Sequence, residues 1–113
     1  MQFLALIYNT EGNDDVDWET LMGQYNAFGE EARAAGVIDG GNALQPISTA
    51  TSVRVRGGKS TLTDGPFAET KEQLGGYYLL ECKDLDEAVA WAAKIPTARY
   101  GTIEVRPIMT FDD

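Results

Sequence analysis

Histidine is absent from this 113-residue sequence, and cysteine occurs once, at Cys82. The first absence removes His-based triads, His-ligated metals and imidazole acid–base chemistry. The second removes any internal disulfide, so a reducing cytoplasm is the expected compartment. Positive charge is scarce too: nine Lys and Arg stand against eighteen Asp and Glu, a net charge of −9. A surface that acidic repels phosphate backbones and anionic lipid, which argues against nucleic acid and membrane surfaces as partners. No apolar run approaches the ~20 residues of a membrane span, and residues 1–8 carry no basic leader of the kind that opens a signal peptide. No P-loop, dinucleotide-binding glycine motif, nucleophile elbow or paired-cysteine zinc spacing occurs.

What remains is ordinary globular material, 43% hydrophobic and 24% charged, enough for one domain over residues 1–113. Residues 2–9 are short and uniformly apolar, and read as a strand covered on both faces. The acidic cluster Asp14, Asp15, Asp17 and Glu19 opens a helix from about Asp17 to Ala35, because carboxylates suit its orphan amides and dipole. Its apolar stripe is Trp18, Leu21, Met22, Tyr25, Phe28, Ala32 and Ala35, and Gly36 ends it. Residues 37–50, with Gly40, Gly41 and Pro46, read as an irregular connection. Residues 51–56 alternate Val53 and Val55 against Arg54 and Arg56, Gly57-Gly58 is a hairpin turn, and 60–63 is the return. Asp64-Gly-Pro-Phe67 is a turn by composition. Residues 74–82 form a third main strand, apolar on both faces at 77–80. Asp84 and Glu87 have capping-box spacing. Leu85, Ala88, Val89, Ala92 and Ile95 give the second helix its stripe, Pro96 stops it, and 100–108 is a last, alternating strand.

This order predicts an α+β, ferredoxin-like split βαβ sheet with an extra hairpin. The first and third main strands are expected at its centre, and residues 51–56 and 100–108 at its edges. Both helices then cover one face, leaving the central strands apolar on the other. A second copy is the simplest cover, so a homodimer is expected.

Four segments carry a family resemblance: residues 63–72 (Thr-Asp-Gly-Pro-Phe-Ala-Glu-Thr-Lys-Glu), 74–81, 84–91 and 101–107. Together and in this order they resemble the DGPF branch of the YCII-related domain family. The resemblance implies a dimeric α+β barrel in which the sheets of two subunits face each other. It also implies a regulatory association with sigma factors of the extracytoplasmic-function type. A YCII-type relative resembles a dehydrochlorinase of aromatic degradation that uses a His–Asp pair, a mechanism this histidine-free sequence cannot carry.

The candidate site residues each have a bland and a sharp reading. Asp64 either shapes its turn or serves as a carboxylate at the rim of a barrel cleft; it is the best catalytic candidate. Phe67 either anchors that loop in the core or contacts ligand, and Glu69, with Lys71 and Glu72, is either solvated loop or part of the cleft. Arg54 and Arg106 either protect edge strands or clamp an anion inside the barrel, and Arg106 has Glu104 as an ion-pair partner across a dimer. Tyr77 and Tyr78 point to opposite faces, one beneath the helices and one into the barrel, and Tyr78 is carried as a stacking residue. Cys82 reads as a small apolar residue with an inert thiol. Asp15-Val-Asp-Trp-Glu19 starts like a calcium loop, but Thr20 stands where the glycine belongs and Asn26 where the closing Glu belongs, so no metal is expected. No cofactor is expected either. Two readings survive: a small cytoplasmic domain that binds a small molecule or a protein such as a sigma factor, and a lyase- or hydrolase-like enzyme using Asp64 as acid or base with Arg54 or Tyr78 nearby.

Overall fold

Strand β1 (Gln2–Asn9) buries every second residue, Phe3, Ala5 and Ile7, and leaves Leu4, Leu6 and Tyr8 only partly covered. The computed structural model describes residues 1–13 and 15–111, so Asp14, assigned above to the acidic cluster, lies outside the described residues.

Helix α1 (Trp18–Ala34) begins where that cluster puts it. The Asp17 carboxylate accepts from the Thr20 hydroxyl at 2.5 Å and from the Thr20 backbone N–H at 3.3 Å. The bond to the Thr20 side chain, then that to its backbone, holds the Asp17 carboxyl below its ordinary value of 3.8. A lowered folded value means that the cap contributes fully above the ordinary value and is lost as pH falls through the lowered one. A carboxyl-detected NMR titration should therefore give Asp17 a midpoint below 3.8; a midpoint at or above it contradicts the cap.

Within α1, Leu21, Phe28 and Ala32 are buried and Tyr25 half-buried, whereas Trp18 and Met22 stand exposed. The predicted stripe is thus too wide. Trp18 is the first residue of the helix, and Met22 lies one position round from Leu21, on the flank. Helix α2 (Leu85–Ala92) carries a capping box: Asp84 accepts from the Glu87 N–H at 2.9 Å, and Glu87 accepts from the Lys83 N–H at 3.0 Å. Asp84→Ala should cost about 1 kcal/mol, read as a fall in Tm of roughly 4 °C; an unchanged Tm would show that the cap carries no stability. Ala88 and Ala92 are buried, but Leu85 and Val89 are about half exposed, because they flank the sheet edge, beyond which no further strand pairs among the described residues.

The main sheet is antiparallel, in the order β2 (Ile38–Ala43), β5 (Gln73–Glu81), β1, β6 (Thr102–Pro107). The first and third main strands of the sequence reading, β1 and β5, are central as expected. Both helices lie on one face, where Phe28 packs 5.4 Å from the Tyr78 ring and edge-on to Trp91 at 6.4 Å, and where the Tyr25 and Thr97 hydroxyls bond at 2.6 Å. Among the described residues, no helix is long and apolar enough to cross a membrane.

Two expectations need correction. Residues 37–50 are not an irregular connection: β2 lies there and pairs with β5, with Gly40 opposite Leu79, Gly41 opposite Tyr78 and Asn42 opposite Tyr77. Ile-Asp-Gly-Gly-Asn-Ala lacks the apolar alternation of a strand because the Tyr78 ring already fills the space over Gly41. A Cβ on Gly41, at φ +157°, would lie 2.6 Å from the Tyr77 carbonyl oxygen and 2.7 Å from the Tyr78 ring. The second correction concerns β3 (Thr51–Arg56), which is not an edge of the main sheet. Among the described residues it pairs only with β4 (Lys59–Asp64), in a separate two-stranded sheet turned at Gly57 and Gly58, both at positive φ. This hairpin stands off the body as an arm. The radius of gyration is 16.2 Å, against ~13 Å for a compact chain of this length.

Candidate functional site

Parity in the main sheet defines a face that no helix covers among the described residues. Phe3, Ala5, Ile7, Tyr78 and Leu80 point toward the helices, so Leu4, Leu6, Tyr8, Tyr77 and Leu79 point away. Leu4 lies opposite Leu79, and Leu6 opposite Tyr77, giving four adjoining apolar side chains at the centre of the open face. On the β2 side, Asn42 donates an amide N–H to the Tyr77 hydroxyl at 2.9 Å, and Gln2 donates to Asp39 at 2.6 Å. On the β6 side, Arg106 lies opposite Leu4 and Glu104 opposite Leu6, their charges 3.9 Å apart. Both are well exposed, so that pair contributes little in one chain. The result is an apolar floor about 10 Å across two strands, with an amide–phenol pair on one margin and a carboxylate and guanidinium on the other. Such a surface can hold a flat, mainly apolar molecule that carries oxygen at its edges.

The segment after the arm closes one end of this face. Lys71 accepts the Thr10 hydroxyl at 3.3 Å through its backbone carbonyl, and Glu72 accepts the Thr102 hydroxyl at 2.9 Å. The Asp64–Phe67 turn ties down the base of the arm. The Gly65 N–H donates to the Ala50 carbonyl at 2.7 Å, and the Gly65 carbonyl accepts from the Ser52 hydroxyl at 2.8 Å.

The six sequence candidates do not converge. Arg106 lies on the margin of the open face, where an anion clamp would need it, although its Glu104 neighbour is on the same strand of the same chain. Arg54 is on the arm, in a different sheet. Asp64 ends β4, exposed, and among the described residues its carboxylate makes no hydrogen bond or ion pair. Glu69 is exposed in the following loop. Phe67 does not anchor that loop in the core: it is 82% exposed, and the turn is held instead at Gly65, by the Ala50 carbonyl and the Ser52 hydroxyl. Tyr78 faces the helices, where burial pushes its phenol above the ordinary value and nearby Tyr25 adds to the shift. Tyr77 is the tyrosine of the open face. Asn42, on the unrecognised strand, is the site residue the sequence reading missed. Cys82 is buried, and burial followed by the Glu87 charge pushes its thiol up, which disfavours the reactive thiolate.

A four-stranded antiparallel sheet with two helices on one face and an apolar floor on the other defines a ferredoxin-like α+β domain. The chain belongs to the YCII-related domain family, whose model matches residues 1–112. It is 36% identical to an uncharacterized protein of Rhizobium meliloti (strain 1021), over 98% of this chain and 94% of that one. Among solved structures, the fold is similar to that of a 5-chloro-2-hydroxyhydroquinone dehydrochlorinase from Burkholderia phenoliruptrix in complex with 2,5-dihydroxybenzoquinone. The TM-score is 0.57 and the identity 18%, over 96% of this chain and 94% of the other.

Proposed function

We propose that this chain is a small-molecule-binding domain whose site is the open sheet face, closed by the sheet of a second copy into a barrel. The observation that carries the reading is the floor of Leu4, Leu6, Tyr77 and Leu79, set between Asn42 on one margin and Glu104 and Arg106 on the other. Apolar side chains on both central strands gain from leaving water, and a second copy supplies the other wall. The ligand class is a flat ring bearing hydroxyl or carbonyl oxygens. The quinone held by the structural neighbour has that chemistry and is the probe of choice.

Titration of 2,5-dihydroxybenzoquinone into the protein, followed by calorimetry, tests this directly. Tyr77→Phe keeps the ring and removes one hydroxyl, so it should weaken binding about fivefold, the worth of one hydrogen bond of ~1 kcal/mol. Tyr78→Phe, beneath the helices, should leave binding unchanged. Equal effects from the two would remove the open face as the site. A catalytic reading with Asp64 as acid or base requires that association bring this carboxylate, exposed at the base of the arm and outside the open face of its own chain, to the cleft of the pair. Asp64→Asn should then abolish turnover without weakening binding.

A further inference from the structure

The arm has features that the open-face site does not use. Its two six-residue strands extend about 20 Å and show an apolar stripe on one face, with Val53 opposite Leu62 and Val55 beside them. All three are more than half exposed. An isolated two-stranded hairpin is marginal in water, so a stripe left open in this way calls for a surface to lie on. The arm's direction is set by the Gly65 bonds to Ala50 and Ser52 at its base. Its charge is also unlike that of the rest of the chain. Residues 51–64 hold three cations, Arg54, Arg56 and Lys59, against the single carboxylate of Asp64, a net +2; since the whole chain is −9, the remainder is −11.

A matching surface exists on the helical side of the body. Between α2 and the edge strand β6 runs an open groove of about 450 Å³, lined by apolar side chains that include Leu85, Val89, Ile103 and Val105. Asp86, like Glu87, belongs to the first turn of the same helix. We infer that the β3–β4 arm of one chain docks in the α2–β6 groove of a second copy, its Val53–Val55–Leu62 stripe on the groove floor. Arg54, Arg56 and Lys59 lie on the opposite face of the arm from the stripe, so its positive charge draws it to the acidic body over a distance, an attraction that salt screens. Every copy carries both halves, a cationic arm with an apolar stripe and an apolar groove in an acidic body. A reciprocal exchange satisfies both chains at once, as a two-fold interface requires. This contact is separate from the sheet-to-sheet closure proposed above, and either can fail alone.

Cysteine trapping tests it. A Val55→Cys variant and a Val89→Cys variant are purified separately, mixed, and oxidised with copper phenanthroline; buried Cys82 serves as the background thiol. The mixture should give a disulfide-linked species of twice 12.3 kDa at several times the yield of either variant alone. Yields no higher than the single variants overturn the inference. So does a chain carrying both substitutions that cross-links only within itself, which would place the arm on its own groove. Adding Leu6→Asp to both variants separates the two contacts: cross-linking should persist although the sheet face is charged. Reversing the arm with Arg54→Glu and Arg56→Glu should lower the yield at least fivefold at low salt, and an unchanged yield contradicts the charge argument.

Discussion

Leu6→Asp should weaken self-association about ten-thousandfold and leave a folded single chain. Leu6 is at the centre of the open face, between Tyr77 and Glu104 in the register, and its side chain points away from the helices. In a face-to-face pair each copy would bury one new carboxylate against the other's apolar floor. An unpaired buried charge costs on the order of 3 kcal/mol or more, so the two in a symmetric pair cost ~6 kcal/mol, roughly 10⁴-fold in a dissociation constant. The helix-side core of Phe3, Phe28, Ala32 and Leu80 is untouched, so the monomer should keep its helical circular dichroism. Glu30→Lys, on the exposed side of α1, is the matched control and should leave assembly and melting unchanged. Gel filtration over a dilution series reads both. A Leu6→Asp variant that elutes with wild type at every concentration removes the sheet face as an interface.

Gly41→Val should destabilise the fold by on the order of 2–4 kcal/mol, combining backbone strain at positive φ with overpacking. The new Cβ would meet a backbone carbonyl and the Tyr78 ring, neither of them a flexible side-chain end. Relief requires β2 to peel from β5, which frees the Asn42 amide from the Tyr77 hydroxyl. Chemical denaturation measures the loss, and hydrogen exchange should place it on residues 38–43 and their partners on β5. Gly12→Ala is the control: that glycine also has positive φ, but an added Cβ meets nothing within 4 Å, so the substitution should cost ~1 kcal/mol. Equal costs would mean that close approach to Tyr78 plays no part in setting the sequence of β2.

The contrast between Gly41 and Val53 explains which parts of the fold were legible in the sequence. Alternation marks a strand but does not say which sheet it joins. Thr51–Arg56 alternates cleanly yet pairs only with its own return, while Ile38–Ala43 joins the main sheet without alternating. In β2 the partner strand supplies the bulk, so the signal lies in Tyr78 rather than in β2 itself. The caps were readable because Asp17 and Asp84 act on residues three positions ahead, a local relation. The candidate site was harder to read because it depends on parity across strands. Tyr77 and Tyr78 look alike in the chain, but Tyr78 shares its face with Leu80 and Cys82, whereas Tyr77 shares its face with Leu79 and Glu81, and the exposed Glu81 marks that side as open. Phe67 reads from the sequence either as a core anchor or as a ligand contact, because a large aromatic in a turn suits both roles. The ring stays exposed, and the turn is held at Gly65 by the Ala50 carbonyl and the Ser52 hydroxyl.

Closure of the open face by a second copy is the claim on which the proposed site depends, and the mass in solution tests it most directly. Multi-angle light scattering of the wild-type protein at micromolar concentration should return twice the chain mass of 12.3 kDa. A stable mass of 12.3 kDa across that range would leave Leu4, Leu6, Tyr77 and Leu79 facing water and contradict the account.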